Sequence, residues 1–233
     1  MPAYAQYCPV ARALEVVGDR WSLLIVRDML AGRTHFNAIE RALPGISRAV
    51  LAQRLRQLEA GGVVQRHVDA RGRASAYTLT SAGLELRTLL EALRDWGARW
   101  AFDNPRPDEL DPAWLLTSLV SRRRPEALPP RRVIVEFRFR GGRRPHVWLV
   151  LDQRDEADIC LKHPGFEPDL IVSADTEVFF RACFGRVSWS EAKRRGWIRC
   201  DGSSELWRAL PSWFDWPSLP SLARSAQGAS RQH

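Results

Sequence analysis

Lysine is almost absent from this chain of 233 residues: Lys162 and Lys193 stand against 33 arginines (35 − 2). Cysteine is scarce as well. Cys8, Cys160, Cys183 and Cys200 form no CxxC pair and no Cys/His metal spacing, which excludes a disulfide framework and a zinc site. No apolar run approaches the roughly 18 residues that a membrane-spanning helix needs. The opening Met1-Pro2-Ala3-Tyr4-Ala5-Gln6-Tyr7 lacks both a charged start and a hydrophobic stretch, so a cytoplasmic chain is expected, with no export and no membrane partner. His146 and His163 lie near carboxylates in sequence, and Ser188 and Ser190 are present. No nucleophile elbow or glycine-rich phosphate loop accompanies them, so neither an enzyme nor a cofactor is expected.

What is present is arginine. Thirty-five basic residues against 27 acidic ones give a net charge of +8. The guanidinium fork suits phosphates and the guanine edge. A GC-rich genome would enrich arginine too, so the bias opens a nucleic-acid partner without deciding it. Hydrophobic residues at 45% and charged residues at 27% lie near the globular average and exclude wholesale disorder.

Composition shifts at Phe102-Asp103-Asn104-Pro105-Arg106-Pro107-Asp108, where two prolines among polar residues read as a linker. The expected organisation is a first domain over 1–103, a linker over 104–110, a second domain over 111–216 and a disordered tail over 217–233. Nine of the ten tryptophans fall at or beyond Trp96, so the second domain needs a bulky core of its own.

The first domain reads as mostly helical. Val10, Leu14 and Val17 share one helical face, and Gly18 ends that element. Asp19 is placed to cap a helix from Arg20 to Leu30, with Trp21, Leu24, Ile25 and Met29 inward. Thr34 is expected to cap a short helix carrying Phe36, Ile39 and Leu43, which Pro44-Gly45 terminates. Ser47 opens the next helix, with Leu51, Leu55 and Leu58 at buried spacing and Gly61-Gly62 as its stop. Val63 to Val68 and Ala76 to Thr80 are two strands flanking a turn at Asp69 to Arg73. Helices followed by a β-hairpin is the winged helix-turn-helix order.

In such a fold the second helix of the motif enters the major groove while its apolar face stays on the core. With Leu51, Leu55 and Leu58 inward, Ala49, Gln53 and Arg56 fall on the opposite side. Gln53 can pair with adenine and Arg56 with guanine, each through two hydrogen bonds. Ser47 and Arg48 lie in the first turn, where a phosphate is favoured, and Arg54 flanks the face towards the DNA backbone. Thr34 and His35, entering the preceding helix, join this set. Arg71 and Arg73 at the wing tip suit phosphate or minor-groove contact. From Arg41 to Arg73, seven arginines oppose only Glu59 and Asp69, a net of +5 (7 − 2). A solvated basic helix beside an ordinary hairpin is the bland alternative.

These residues also carry a resemblance. The run Cys8-Pro9-Val10-Ala11-Arg12-Ala13-Leu14-Glu15-Val16-Val17-Gly18-Asp19-Arg20-Trp21-Ser22-Leu23-Leu24-Ile25 resembles the opening of the HxlR family of bacterial winged-helix regulators. His35-Phe36-Asn37-Ala38-Ile39, Leu43-Pro44-Gly45-Ile46-Ser47, Leu51 to Glu59 and Tyr77-Thr78-Leu79-Thr80-Ser81-Ala82-Gly83 continue the pattern in register over roughly residues 8–100. The wing departs from it, because Ala74-Ser75-Ala76-Tyr77 replaces the family's usual proline and acidic residue before the tyrosine. The resemblance implies a homodimer on a pseudo-palindromic double-stranded DNA operator. The sequence adds its own argument: Leu86, Leu89, Leu90, Leu93, Trp96 and Trp100 form a stripe too wide for so small a domain to cover. Cys8 precedes the first helix, where the dipole favours a thiolate. Relatives that sense oxidants through such a cysteine make it a candidate redox sensor, although a lone cysteine also serves as a small core residue.

The second domain reads as α+β, an antiparallel sheet with helices on one side. Arg132 to Arg140 alternates cleanly, Gly141-Gly142 turns, and Val147 to Leu151 returns. Ala157 to Leu161, Asp169 to Ser173 and Trp197 to Cys200 add strands. Helices follow Thr176, Ser188 (a capping box with Glu191) and Ser204. The succession, with Asp169-Leu170-Ile171-Val172-Ser173-Ala174-Asp175, Gly185, Gly196 and Asp201-Gly202, resembles sterol carrier protein type 2 over about residues 110–216. That resemblance implies an apolar cavity between sheet and helices. Phe137, Phe139, Trp148, Phe179, Phe180, Phe184, Trp189, Trp207, Trp213 and Phe214 are candidates to line it, or they simply fill the core.

The reading is a dimeric, sequence-specific DNA-binding regulator, a repressor, with an apolar small-molecule effector in its second domain. Two alternatives stay open: a redox-sensing regulator acting through Cys8, and a lipid carrier with only non-specific affinity for DNA.

Overall fold

The computed structural model describes residues 4–69, 74–102, 104–142, 144–153 and 157–216, and the chain divides into two compact units, Met1–Leu93 and Arg94–His233. Asp103 at the end of the expected first domain, the expected tail 217–233, and the wing-tip arginines Arg71 and Arg73 lie outside the described residues.

The first unit runs α1 (Pro9–Val17), α2 (Ser22–Leu30), α3 (Phe36–Ala42), α4 (Arg48–Ala60), β1 (Val64–Val68), β2 (Ala74–Leu79) and then α5 (Ser81–Trp100), within which the division between units falls. One core joins Val17, Ile25, Val26, Met29, Ile39, Leu43, Leu51, Leu55 and Leu58 to Val63, Val64 and Tyr77 of the hairpin. Val10 and Leu14, which share a face of α1, are exposed at 66% and 43%, and the helix buries Ala11 and Val17. One local expectation is corrected. Asp19 does not cap α2, which starts at Ser22 after Trp21 with no side-chain cap. The Asp19 carboxylate is engaged by Arg54 of α4.

Inside this unit Asp28 and Arg33 are only 4% and 9% exposed. Arg33 Nη1 donates to Asp28 Oδ1 at 3.0 Å, and Arg27 Nη2 donates to Oδ2 at 2.9 Å. Burial pushes the Asp28 carboxyl above its ordinary value, against the pull of Arg27 and Arg33. The pair closes the turn between α2 and α3, where the Arg33 N–H also donates to the Asp28 carbonyl. At the other end of the hairpin, Thr80 Oγ1 donates to the Gly62 carbonyl at 2.6 Å and accepts from the Gly83 N–H. A Cβ on Gly83 would lie 2.3 Å from the Val63 carbonyl oxygen, so only glycine lets α5 start this close to the wing.

The second unit contains α6 (Pro112–Val120), β3 (Val133–Arg140), β4 (His146–Leu151), β5 (Asp158–Cys160), β6 (Leu170–Asp175), α7 (Thr176–Cys183), α8 (Trp189–Arg194), β7 (Ile198–Gly202) and α9 (Ser204–Ala209). The five strands lie in the order β5-β4-β3-β6-β7. The expected antiparallel sheet is corrected to a mixed one: β3 pairs with β6 in parallel, while β3/β4, β4/β5 and β6/β7 are antiparallel. Alternation along a strand tells which face it buries but not which way its neighbour runs, so the direction of β6 was not legible.

Val133, Val135, Phe137 and Phe139 of β3, with Val147, Leu149 and Leu151 of β4 and Leu170, Val172 and Ala174 of β6, build one apolar face. Side chains of α6, α7, α8 and α9 join the same cluster, so the helices pack on one side of the sheet. α7 is capped by Asp175, whose side chain accepts from the Val178 N–H at 3.2 Å. The expected cap, Thr176, donates instead to the Arg140 carbonyl at 3.0 Å.

Among the described residues no helix is long and apolar enough to cross a membrane.

Candidate nucleic-acid interface

The geometry of α4 follows from its sequence. Ser47 caps it, its hydroxyl accepting from the Val50 N–H at 3.3 Å. Leu51, Leu55 and Leu58 are fully buried on one side, and Ser47, Arg48, Ala49, Gln53 and Arg56 are exposed. The hundred-degree spacing of a helix therefore delivers the two-sided element that groove reading requires. Among the described residues the Gln53 and Arg56 side chains make no hydrogen bond and no ion pair, which leaves both planar heads open to a base edge.

Two arginines of the expected set are differently placed. Arg54 is only 19% exposed and is bound to Asp19 and Gln57. It fastens α4 to the turn between α1 and α2. Arg48 is exposed but held. Its Nη1 donates to Glu40 Oε2 at 2.5 Å, Nη1 and Nη2 each lie 3.3 Å from Asn37 Oδ1, and its Cζ stands 4.9 Å from the Phe36 ring centroid.

Thr34 and His35 sit at the entry to α3, half-buried and exposed respectively, with Thr34 Oγ1 3.1 Å from His35 Nδ1. His35, not Thr34, occupies the cap position, and no side chain caps that helix. The Tyr77 N–H of β2 donates to the Thr34 carbonyl at 2.7 Å, which ties the wing to this entry. The wing itself pairs β1 with β2 in antiparallel register, with an irregularity between His67 and Val68. Arg66 on β1 is exposed, as is Arg41 on α3. Sequence reasoning missed the cluster of Phe36, Asn37 and Glu40 around Arg48. Its signal was the i, i+4 spacing of Phe36 and Glu40 on a short helix just before a capped arginine.

The remaining expected sites distribute as follows. On α5, Leu86 and Leu90 pack on the core of the first unit, whereas Leu89, Leu93, Trp96 and Trp100 are exposed. Leu86 is thus partly covered within its own chain. Leu84, which sequence reasoning passed over, is exposed as well. Cys8 is half-buried at the N-cap of α1. Cys183 is fully buried, and burial pushes the Cys200 thiol up to about 11. In the second unit Phe137 and Phe139 stack at 6.0 Å, and Phe179 meets them edge-on at 5.5 and 5.2 Å. Trp189 lies 5.8 Å from Phe179, and Phe180 and Trp213 are buried in the same cluster, with Phe184 and Trp207 packed against it. Trp148 is corrected out of this group. It pairs in register with Glu136, on the sheet face opposite Phe137 and Phe139. There it lies between His146 and His163, at 5.7 and 5.6 Å.

A capped helix buried on one side and open on the other, preceded by a short helix and followed by a two-stranded wing, defines a winged helix-turn-helix. The family model described as HxlR-like helix-turn-helix matches residues 16–104. The HTH-type transcriptional regulator YvaP of Bacillus subtilis is 37% identical over 98 residues, which cover 41% of this chain and 91% of that protein. A second regulator of the HTH type, sll1512 of Synechocystis, is 34% identical over 40% of this chain and 70% of its own. The solved structure of the reduced transcriptional regulator YodB from B. subtilis is 31% identical, covering 41% of this chain and 96% of its own, with a TM-score of 0.36. The chain belongs to the HxlR-like helix-turn-helix family through its first unit. Its homologues over this region are transcriptional regulators, which supports a DNA-binding regulator.

Proposed function

We propose that the protein is a sequence-specific transcriptional repressor that reads double-stranded DNA as a homodimer and responds to an apolar small molecule through its second unit. One observation carries the DNA reading: α4 buries Leu51, Leu55 and Leu58 and turns Ala49, Gln53 and Arg56 outward. Exposed Val10 and Leu14 on α1, with Leu84, Leu89 and Leu93 on α5, support a second copy as partner. The two recognition helices of such a dimer must sit about one DNA turn apart. An effector that alters this spacing with about 1–3 kcal/mol of coupling changes occupancy roughly 5- to 150-fold. Repression is carried over from the family. The resemblance of the second unit to sterol carrier protein type 2 is supported by its helices on one sheet face and by the ring-rich layer between them.

Binding of the purified protein to its own upstream DNA, titrated against salt and unrelated DNA, tests the reading. Arg56→Ala is expected to lose about 1–3 kcal/mol at a single base pair and little elsewhere. A uniform loss on every sequence, falling steeply with salt alone, would favour a carrier with only charge-driven DNA affinity. A redox reading has one specific support: Cys8 is partly accessible at a helix N-terminus while burial raises the Cys160, Cys183 and Cys200 thiols. It predicts that an oxidant abolishes DNA binding in the parent protein and not in Cys8→Ser.

A further inference from the structure

The short helix before the recognition helix holds one arginine of the DNA-facing surface under the control of its own carboxylate. Arg48 is the first residue of α4, and its guanidinium leans back over α3. Three residues of that helix engage it: Phe36 beneath the plane at 4.9 Å, Asn37 Oδ1 at 3.3 Å from both terminal nitrogens, and Glu40 Oε2 at 2.5 Å. The side chains of Arg48 and Glu40 are 65% and 25% exposed. Their pair lies at the surface, where such contacts add little to stability. Three partners for one exposed guanidinium are more than the fold needs from it. Arg56, two turns further along the same helix, has no carboxylate partner among the described residues.

We propose that Glu40 is a specificity-determining residue of the DNA interface: by pairing with Arg48 it suppresses charge-driven binding to arbitrary DNA while holding that arginine in place for the cognate phosphate. The inference rests on α4 being the recognition helix. A non-cognate complex is held by phosphate contacts alone, at a distance where local charge decides the affinity. There the carboxylate cancels the charge of Arg48. In a cognate complex Gln53 and Arg56 seat α4 in the groove. A guanidinium fixed by Phe36, Asn37 and Glu40 then meets a phosphate with little further loss of side-chain freedom. Glu40 therefore weakens non-cognate binding and leaves cognate binding nearly unchanged.

The test compares wild type, Glu40→Gln, Arg48→Ala and the double variant on a duplex selected by the wild-type protein from random DNA, and on a scrambled duplex. The full chain is used, and thermal melting checks each fold. Glutamine keeps the hydrogen bond to Arg48 and removes the charge. Glu40→Gln is expected to bind the scrambled duplex several-fold more tightly, to steepen its salt dependence by about one phosphate contact, and to lower the cognate preference roughly five-fold. With Arg48→Ala in place, the Glu40→Gln substitution is expected to change the preference little, because the carboxylate acts through the arginine. An unchanged preference, or an equal gain on both duplexes, overturns the proposal while leaving α4 as the reader. A wild-type protein without any preference between duplexes overturns this proposal together with the reading beneath it.

Discussion

Charge placement sets Arg56, Arg54 and Arg33 apart, and each answers differently to substitution. Arg56 stands open on the outer face of α4, Arg54 fastens that helix to Asp19, and Arg33 is buried with Asp28. Burying an ion pair costs nearly as much as the pairing returns, but removing one member leaves the other without compensation. Asp28→Ala is therefore expected to destabilise the first unit by about 3 kcal/mol, read as a lower denaturant midpoint. Replacing both, Asp28→Leu with Arg33→Met, is expected to recover most of that loss. If the double variant is as unstable as the single one, the pair contributes through more than its charges. The raised Asp28 carboxyl also sets a pH dependence. Its folded-state value lies above the unfolded value near 3.8, so the folded unit holds the proton more firmly. Its contribution to stability is thus greatest below that value and declines as pH rises through the folded one.

The elements that the sequence made legible are those whose signals are local. Ser47 before Leu51, Leu55 and Leu58, with Gly61-Gly62 after them, marks α4 completely, and the alternation of Val133, Val135, Phe137 and Phe139 marks β3 and its buried face. What stayed hidden was set by partners distant in the chain. Asp19 reads as a cap for the helix beside it, yet Arg54, 35 positions away, takes its carboxylate. Trp148 reads as one more large ring for a cavity, although its register with Glu136 puts it on the other side of the sheet. The parallel pairing of β3 with β6 leaves no mark in either strand, since alternation is the same in both directions. Gly83 belongs to the same group, because only the approach of the Val63 carbonyl explains it. An alanine there would set its Cβ 2.3 Å from that backbone oxygen and 3.0 Å from Leu79 Cδ2. Gly83→Ala is expected to cost about 1–3 kcal/mol, although alanine is the better helix former by roughly 1 kcal/mol. A melting temperature unchanged or raised in that variant would mean that the start of α5 shifts freely.

At the level of the whole molecule, the exposed apolar residues ask for a partner. Leu89, Leu93, Trp96 and Trp100 recur at intervals of four, three and four along α5, all exposed, at 47%, 47%, 58% and 69%. Four such side chains on one helical face exceed the scattered apolar exposure of an ordinary monomer. Two-fold pairing of identical helices would bury each stripe against its copy. Leu86 and Leu90, on the neighbouring face, already pack on the core of the first unit, so the exposed stripe is surplus to folding. This division makes the prediction selective. Leu89→Glu together with Leu93→Glu is expected to convert a dimer into monomers in sedimentation equilibrium, with the melting of the first unit shifted by no more than about 0.5 kcal/mol per site. A monomer engages one half-site instead of two, so its affinity for a two-half-site operator is expected to fall by at least about 100-fold, while a single half-site is bound as before. Equal losses on both duplexes would mean that the substitutions damaged the reader itself. A variant that remains dimeric would show that the stripe is not what joins the two copies, and Val10 and Leu14 of α1 would be the next residues to charge.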